Sequence, residues 1–184
     1  MNSLQGHFLV ASPRLIDPNF FHTVVLLVQH NDEGALGLVL NRPLSTTVAE
    51  MWREVAEHQP CDVGGTLCQG GPCEGPLMVV HKDELFSEIE VVPGVFFCTR
   101  KDTIEKFVGE NATESKFFVG YAGWSPGQLE AEMAEGSWLT TPARPDQIFS
   151  ADEHLWSDLV RKLSLTKMWP GLDPGQIPED PSVN

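Results

Sequence analysis

The stretch GYAGWSPGQLE, residues 120–130, decides how the second half of the chain folds. The apolar run before it predicts a buried strand over residues 116–123, and Pro126 opens a segment of helix formers that predicts a helix to about residue 135. Between them lies Gly123-x-Ser125-x-Gly127, which has the spacing of a hydrolase nucleophile elbow. The main functional question of the sequence is therefore whether Ser125 is a nucleophile or a helix cap.

The capping interpretation is favoured by Gln128, three residues after Ser125. Ser-x-x-Gln is a capping box, in which the serine hydroxyl accepts a hydrogen bond from the Gln128 N–H and the glutamine side chain returns one. The acid and base candidates Asp152 and His154 are two residues apart at the start of a predicted helix, where they do not face each other. We therefore expect a cap, and a small hydrolase that uses Ser125 remains the alternative.

Outward from this stretch, strands and helices interleave without a regular βαβ repeat. Residues 6–11 predict a strand, residues 23–41 a hairpin with a turn over 31–34, and Gly37 a bulge or a close backbone approach. Thr47 and Glu50 form a capping box before a first helix. Further strands are predicted over residues 77–81, 89–92 and 95–99, and helices after Asp102 and after the Ser150/Glu153 box. The pattern indicates an α+β fold with a mixed, mainly antiparallel sheet and about four short helices.

The domain organisation follows from length and from the C-terminal composition. A chain of 184 residues suits one domain. We predict a single domain over residues 1–169 and an extended or disordered tail, rich in proline and glycine, over residues 170–184.

The charge balance limits the partners. The net charge is −14, from 26 acidic and 12 basic residues, which argues against direct nucleic-acid binding and against an anionic membrane surface. The N-terminus lacks the features of a signal peptide, and no apolar run reaches the roughly 18 residues that span a bilayer. A cytoplasmic location is expected.

Cysteine and histidine spacings predict neither a metal site nor a cofactor. Cys61, Cys68, Cys73 and Cys98 do not form zinc-ligand pairs and are expected to be free thiols. The six histidines show no HxH or HExxH spacing. Cys73, in a glycine-rich turn, is the one thiol that could be reactive, so a thiol enzyme joins the hydrolase as an alternative.

Three residues are weak candidates for ligand binding. Trp124 lies at the strand-to-helix turn, where an aromatic side chain belongs to the core or to the wall of a pocket. His30 and His81 each end an apolar strand, where hydrogen-bonded structural histidines outnumber ligands. The acidic side chains that follow, Glu130, Glu132 and Glu135, are expected to form a solvated helix face.

Several motifs together resemble the YqgE/AlgH family. Residues 7–43, HFLVASPRLIDPNFFHTVVLLVQHNDEGALGLVLNRP, are similar to its N-terminal signature, and two later motifs are matched by residues 70–81 and by residues 120–130 with 138–139. The resemblance covers about residues 4–169. Gln29 stands where an acidic residue often precedes the His-Asn pair, and the position of Ser125 varies among relatives.

The resemblance implies a compact bacterial cytoplasmic fold of bent, mixed sheets, without an established enzymatic activity, cofactor or set of catalytic residues. Some members of the family are described as transcriptional regulators. Together with the charge, this leads us to expect a non-enzymatic binding or regulatory module that acts through a protein or small-molecule partner. We expect a monomer or homodimer.

Overall fold

The structure is a computed structural model, and it describes residues 3–55, 67–109 and 114–168. The strands are β1 (His7–Ala11), β2 (Val24–Asn31), β3 (Gly34–Val39), β4 (Leu67–Gln69), β5 (Met78–His81), β6 (Ile89–Val92), β7 (Val95–Cys98), β8 (Ser115–Val119), β9 (Ala122–Trp124) and β10 (Trp138–Pro142). The helices are α1 (Val48–Val55), α2 (Lys101–Gly109), α3 (Gln128–Ala134), α4 (Pro145–Phe149) and α5 (Leu155–Met168). The predicted tail over residues 170–184 lies outside the described residues, so its state and the domain boundary stay predictions.

Two five-stranded sheets form the body of the protein. The first, sheet A, has the order β10-β1-β2-β3-β9, and all its pairs are antiparallel. The second, sheet B, has the order β4-β8-β5-β7-β6, with one parallel pair, β4–β8. The predicted α+β class with mixed, mainly antiparallel sheets is confirmed, with five short α-helices instead of about four.

The sheets pack face to face, and each outer face is covered. The central core contains Val10, Leu26 and Leu38 from sheet A and Val80 and Phe118 from sheet B, with α4 and α5 closing its side. The outer face of sheet B packs on α1 and α2, and the outer face of sheet A packs on α3. Strand β2 is therefore fully buried over residues 24–28, which explains why its sequence is apolar without alternation.

The N-terminal hairpin and the first capping box are confirmed. Asn31 pairs with Gly34 across a turn that has two residues between the strands, and a bulge falls on β2 between Leu27 and Gln29. At Gly37 the predicted close approach is found, since a Cβ there would lie 2.5 Å from Val25 Cγ1. The Glu50 N–H donates to Thr47 Oγ1 over 3.2 Å, and the Thr47 N–H donates to Glu50 Oε2 over 2.8 Å.

The strand predicted over residues 116–123 is wrong as a single element. The chain forms β8 in sheet B, turns at Gly120 and continues as β9 in sheet A. Gly120 has φ 71°, and a Cβ there would lie 2.7 Å from the carbonyl oxygen of Gly71, so only glycine fits this crossing. Tyr121 and Cys73 exchange two backbone hydrogen bonds of 3.0 Å beside it.

The capping box predicted at Ser150 and Glu153 is also wrong. The Ser150 hydroxyl donates to the Asp146 carbonyl oxygen over 2.7 Å and so lies at the end of α4, a helix the sequence did not indicate. The next helix instead begins after Asp152, whose Oδ1 accepts from the His154 N–H over 2.8 Å. Within the described part of the chain, no helix is both long and apolar enough to cross a bilayer.

Candidate functional site

The residues that the sequence singled out converge in part on the outer surface of sheet A, around α3 and the loop over residues 12–22. We call this surface the α3 face. At its start, Ser125 is exposed and its capping role is only half as predicted. The Ser125 N–H donates to Gln128 Oε1 over 3.0 Å, as in a capping box, but the Gln128 N–H donates to the backbone oxygen of Ser125 instead of its hydroxyl.

The reason is a tight turn between Ser125 and the helix. Gly127, with φ 76°, is the N-cap residue of α3, so Ser125 lies two positions too early to cap the helix with its side chain. The Ser125 hydroxyl has no hydrogen bond to any residue that the structure describes. In particular, no histidine within residues 3–55, 67–109 and 114–168 is bonded to it, as a nucleophile–base pair would require.

His30 is buried under the α3 face and both of its ring nitrogens are engaged. Nδ1 accepts a hydrogen bond from the Leu4 N–H over 2.9 Å, and Nε2 lies 2.8 Å from Glu130 Oε1. Because Nδ1 is an acceptor, the proton must be on Nε2, which donates to the carboxylate. His30 therefore ties α3 and the N-terminal segment to the end of β2. A small hollow of about 230 Å³, lined by Ser3, His30, Asn31 and Asp32, lies beside it.

Glu130 is held by this arrangement. Its own backbone N–H, and after that the bond from His30, keep the pKa of the Glu130 carboxyl below its ordinary value, although partial burial opposes the shift.

Trp124 belongs to an aromatic cluster with a single carboxylate at its centre. Trp124 Nε1 and Trp138 Nε1 both donate to Glu132 Oε2, over 2.9 and 2.8 Å. Gln128 Nε2 donates to the other oxygen of Glu132 over 3.0 Å. Phe20 stacks on Trp124 at 6.0 Å between ring centroids and meets Trp138 edge-on at 5.3 Å. Trp124 is only 5% exposed, and its place is mainly in the packed core of this face.

The prediction that the three glutamates form a solvated face is therefore wrong for two of them. Glu130 and Glu132 are half-buried and bonded to residues of β2, β9 and β10, whereas Glu135 is exposed. Their partners are far apart in sequence or lie on strands whose position depends on the sheet order, so helical spacing alone could not reveal them.

An open cleft of about 700 Å³ is the largest concave feature of the α3 face. It lies between the loop over residues 12–17 and the α3–β10 turn over residues 133–139. Its apolar wall is formed by Leu15, Ile16, Met133, Trp138 and Leu139, and its polar groups include Arg14, Asp17 and Glu135. Ile16 is 88% exposed. The sequence gave no sign of this cleft, because its two walls are over a hundred residues apart.

The other candidate residues lie elsewhere. His81 is fully buried in sheet B, where its Nδ1 accepts from the Asp83 N–H over 3.2 Å and burial lowers the pKa of its imidazole. Cys73 is half-buried beside the crossing at Tyr121. The structure thus brings His30 and Trp124 to the α3 face and keeps His81 and Cys73 apart from them.

Cys68, Cys73 and Cys98 are free thiols, as expected, and Cys61 lies outside the described residues. Burial, and then the Glu88 carboxylate that accepts from its Sγ, raise the pKa of Cys98 to about 12. Burial also raises the pKa of the Cys68 thiol. Over the described ranges, no three histidine, cysteine or acidic side chains lie close enough together to hold a metal ion.

Lys116 is a buried charge that sequence reasoning missed. It is 3% exposed on the inner face of β8, and its Nζ donates to the Ala151 carbonyl oxygen over 2.7 Å. Burial lowers the pKa of the ammonium group. The one sequence signal is a lysine directly before the apolar pair Phe117-Phe118. Its bond joins sheet B to the α4–α5 connection, which is a structural role.

The fold and the α3 face define an α+β protein of two packed five-stranded sheets with a surface cleft at the end of an edge strand. The chain belongs to the AlgH-like family, whose family model matches residues 8–167. The resemblance to the YqgE/AlgH family is therefore confirmed.

Relatives and solved structures agree. The chain is 40% identical over 163 residues to a UPF0301 protein of Chlorobaculum tepidum, covering 85% of this chain and 84% of that one. It is 38% identical to a UPF0301 protein of Vibrio vulnificus, covering 89% and 93%. The solution structure of the AlgH protein from Pseudomonas aeruginosa is similar with a TM-score of 0.73, at 33% identity and covering 94% and 97%. A Corynebacterium diphtheriae protein, at 22% identity and a TM-score of 0.69 over 88% and 87%, shares the fold.

Proposed function

We propose that this protein is a cytoplasmic binding module that acts on a regulatory process through a partner rather than by catalysis. The observation that carries the proposal is the open cleft of the α3 face with Ile16 at its rim. Large apolar side chains that stand almost free in water beside a concave, polar-rimmed surface are typical of interaction sites.

The composition of the cleft supports a partner with both apolar and polar groups. Leu15, Ile16 and Met133 offer apolar area, and Arg14, Asp17 and Glu135 offer charges of both signs around it. The net charge of −14 disfavours direct contact with DNA, so a regulatory effect would pass through a protein or a small molecule. A gel-shift at low salt is expected to show no retention of DNA.

Catalysis by Ser125 has less support from the geometry. Its hydroxyl lacks a hydrogen-bonded base among the described residues. His30 cannot act as a base while Nδ1 accepts from Leu4 and Nε2 donates to Glu130, because neither nitrogen then has a free lone pair. An esterase screen in which the wild type turns over and Ser125→Ala does not would contradict the proposal.

The cleft is tested by affinity capture from native bacterial lysate, with mass spectrometry of proteins and small molecules. Ile16→Asp is compared with Leu85→Asp, a matched control because both side chains are 88% exposed and Leu85 lies in the connection between β5 and β6 of sheet B. We expect a partner that the wild type and Leu85→Asp retain and Ile16→Asp loses. Equal capture by all three proteins, or capture of nothing above background, would refute a role for the cleft.

A further inference from the structure

The cleft ends at an edge strand whose outward hydrogen-bonding groups have no neighbour in sheet A. Strand β10 pairs with β1 alone. The Ser12 N–H donates to the Ser137 carbonyl oxygen and the Ala143 N–H donates to the Gly6 carbonyl oxygen, both over 2.9 Å. These two bonds fix the phase of the antiparallel ladder, in which alternate residues face the partner strand.

It follows that Leu139 and Thr141 direct their backbone groups toward β1, whereas Trp138 and Thr140 direct theirs away from it. Pro142 also faces outward, but it has only a carbonyl oxygen to offer. The outer edge of β10 therefore presents two N–H and three C=O groups in a row. Neither the Trp138 N–H nor the Thr140 N–H has a hydrogen-bond partner within the described ranges.

This edge also lacks the devices that usually protect a sheet edge. Natural edge strands are short, charged or bulged. Among the described residues, β4 and β9 have three residues each, and β6 contains Glu90 and an irregular register at that position. Strand β10 has five residues, WLTTP, and no charge, and only the terminal proline interrupts its donors. It is the edge best suited to accept another strand.

The edge and the cleft form one continuous surface. Trp138 and Leu139 begin β10 and also line the cleft. A strand antiparallel to β10 would run from Pro142 toward Trp138, and its next residues would enter the cleft between Ile16 and Met133. Since alternate side chains of a strand point the same way, one apolar side chain could fill the cleft while the backbone pairs with β10.

We propose that the partner is an extended peptide segment that adds to sheet A as a strand beside β10 and places an apolar side chain in the cleft. Basic residues in that segment are favoured, because Asp17 and Glu135 lie at the cleft and the whole chain carries a charge of −14. Main-chain bonds give affinity in this mode of recognition, and the cleft gives specificity. This inference rests on the proposed function and names the class of partner for the same site.

The test uses a phage library of random twelve-residue peptides selected on the full-length protein. Selected peptides are expected to be basic and apolar and to bind Thr140→Pro at least about tenfold more weakly than the wild type, because proline removes an outward donor. Thr140→Val keeps that N–H and is the matched control, with binding within about twofold. In hydrogen exchange, the amides of Trp138 and Thr140 should gain protection on binding, whereas those of Leu139 and Thr141 should not change.

A scan of N-methylated peptides leaves the protein untouched and so avoids any folding defect of Thr140→Pro. Methylation at every second residue should abolish binding, because only alternate amides face β10. Peptides that lose affinity for Ile16→Asp but tolerate Thr140→Pro and every N-methyl group would keep the cleft and overturn strand addition. Peptides that bind all variants equally, or a selection that yields no peptide above background, would overturn the inference.

Discussion

Removing the Glu132 carboxylate should destabilise the protein more than any other change on the exposed side of α3. In Glu132→Ala, the indole N–H groups of Trp124 and Trp138 lose their acceptor, and these rings are 5% and 4% exposed. A buried donor left without a partner costs about 1–3 kcal/mol, so the pair gives about 2–6 kcal/mol. Because Glu132 is half-buried, water can reach the vacated position, and we expect a loss of about 2–4 kcal/mol in the free energy of unfolding.

The measurement is urea denaturation followed by circular dichroism and by tryptophan fluorescence. Glu135→Ala on the same helix is the control for helix propensity and charge, and it should change the free energy of unfolding by less than about 0.5 kcal/mol because Glu135 is exposed. Glu132→Gln keeps an oxygen with two lone pairs and should fall between the two. If Glu132→Ala proves no more destabilising than Glu135→Ala, the carboxylate does not organise this cluster.

Three further outcomes are expected. Ser125→Ala should leave the free energy of unfolding within about 0.5 kcal/mol of the wild type in urea titration, because the hydroxyl makes no bond to a described residue; a loss above 1 kcal/mol would show that the hydroxyl caps α3. Burial holds the pKa of His81 below its ordinary 6.5, so the unfolded chain binds a proton more readily and stability should fall as the pH drops below about 6.5. His81→Asn should flatten this dependence, by at most about 1.4 kcal/mol per pH unit, whereas the exposed His154→Gln should keep it. In a Cys61→Ser background at pH 8, Ellman's reagent should label native Cys73 but not Cys98, whose pKa of about 12 keeps it a thiol; equal labelling would contradict this burial.

Local signals predicted what local chemistry decides. The capping box of Thr47 and Glu50 was correct because its donors and acceptors all lie within four residues of one another. The hairpin of β2 and β3 was correct because its two apolar runs are separated by turn residues only. The box predicted at Ser125 failed because the positive φ of Gly127 inserts a turn before the helix, and the motif spelling does not encode that conformation.

The candidate site depended on distant contacts. Helical spacing placed Glu130 and Glu132 on one polar face, but it could not show that a histidine of β2 and two tryptophans lie beneath them. The apolar run after Lys116 reads as a single strand because both of its halves are buried, yet Gly120 sends them to different sheets. The two walls of the cleft are joined only by the pairing of β1 with β10.

By itself, the sequence determined the α+β class, the family, the acidic surface and most of the elements, because each of these follows from composition, motif or short-range periodicity. Only the tertiary structure decided that residues 116–124 divide between two sheets, that Ser125 leaves its hydroxyl unused, and that a cleft opens beside an unpaired edge of β10. The physical reason is that sheet order brings together residues over a hundred positions apart, and backbone hydrogen bonding gives the order of strands no signature in the side chains that form them.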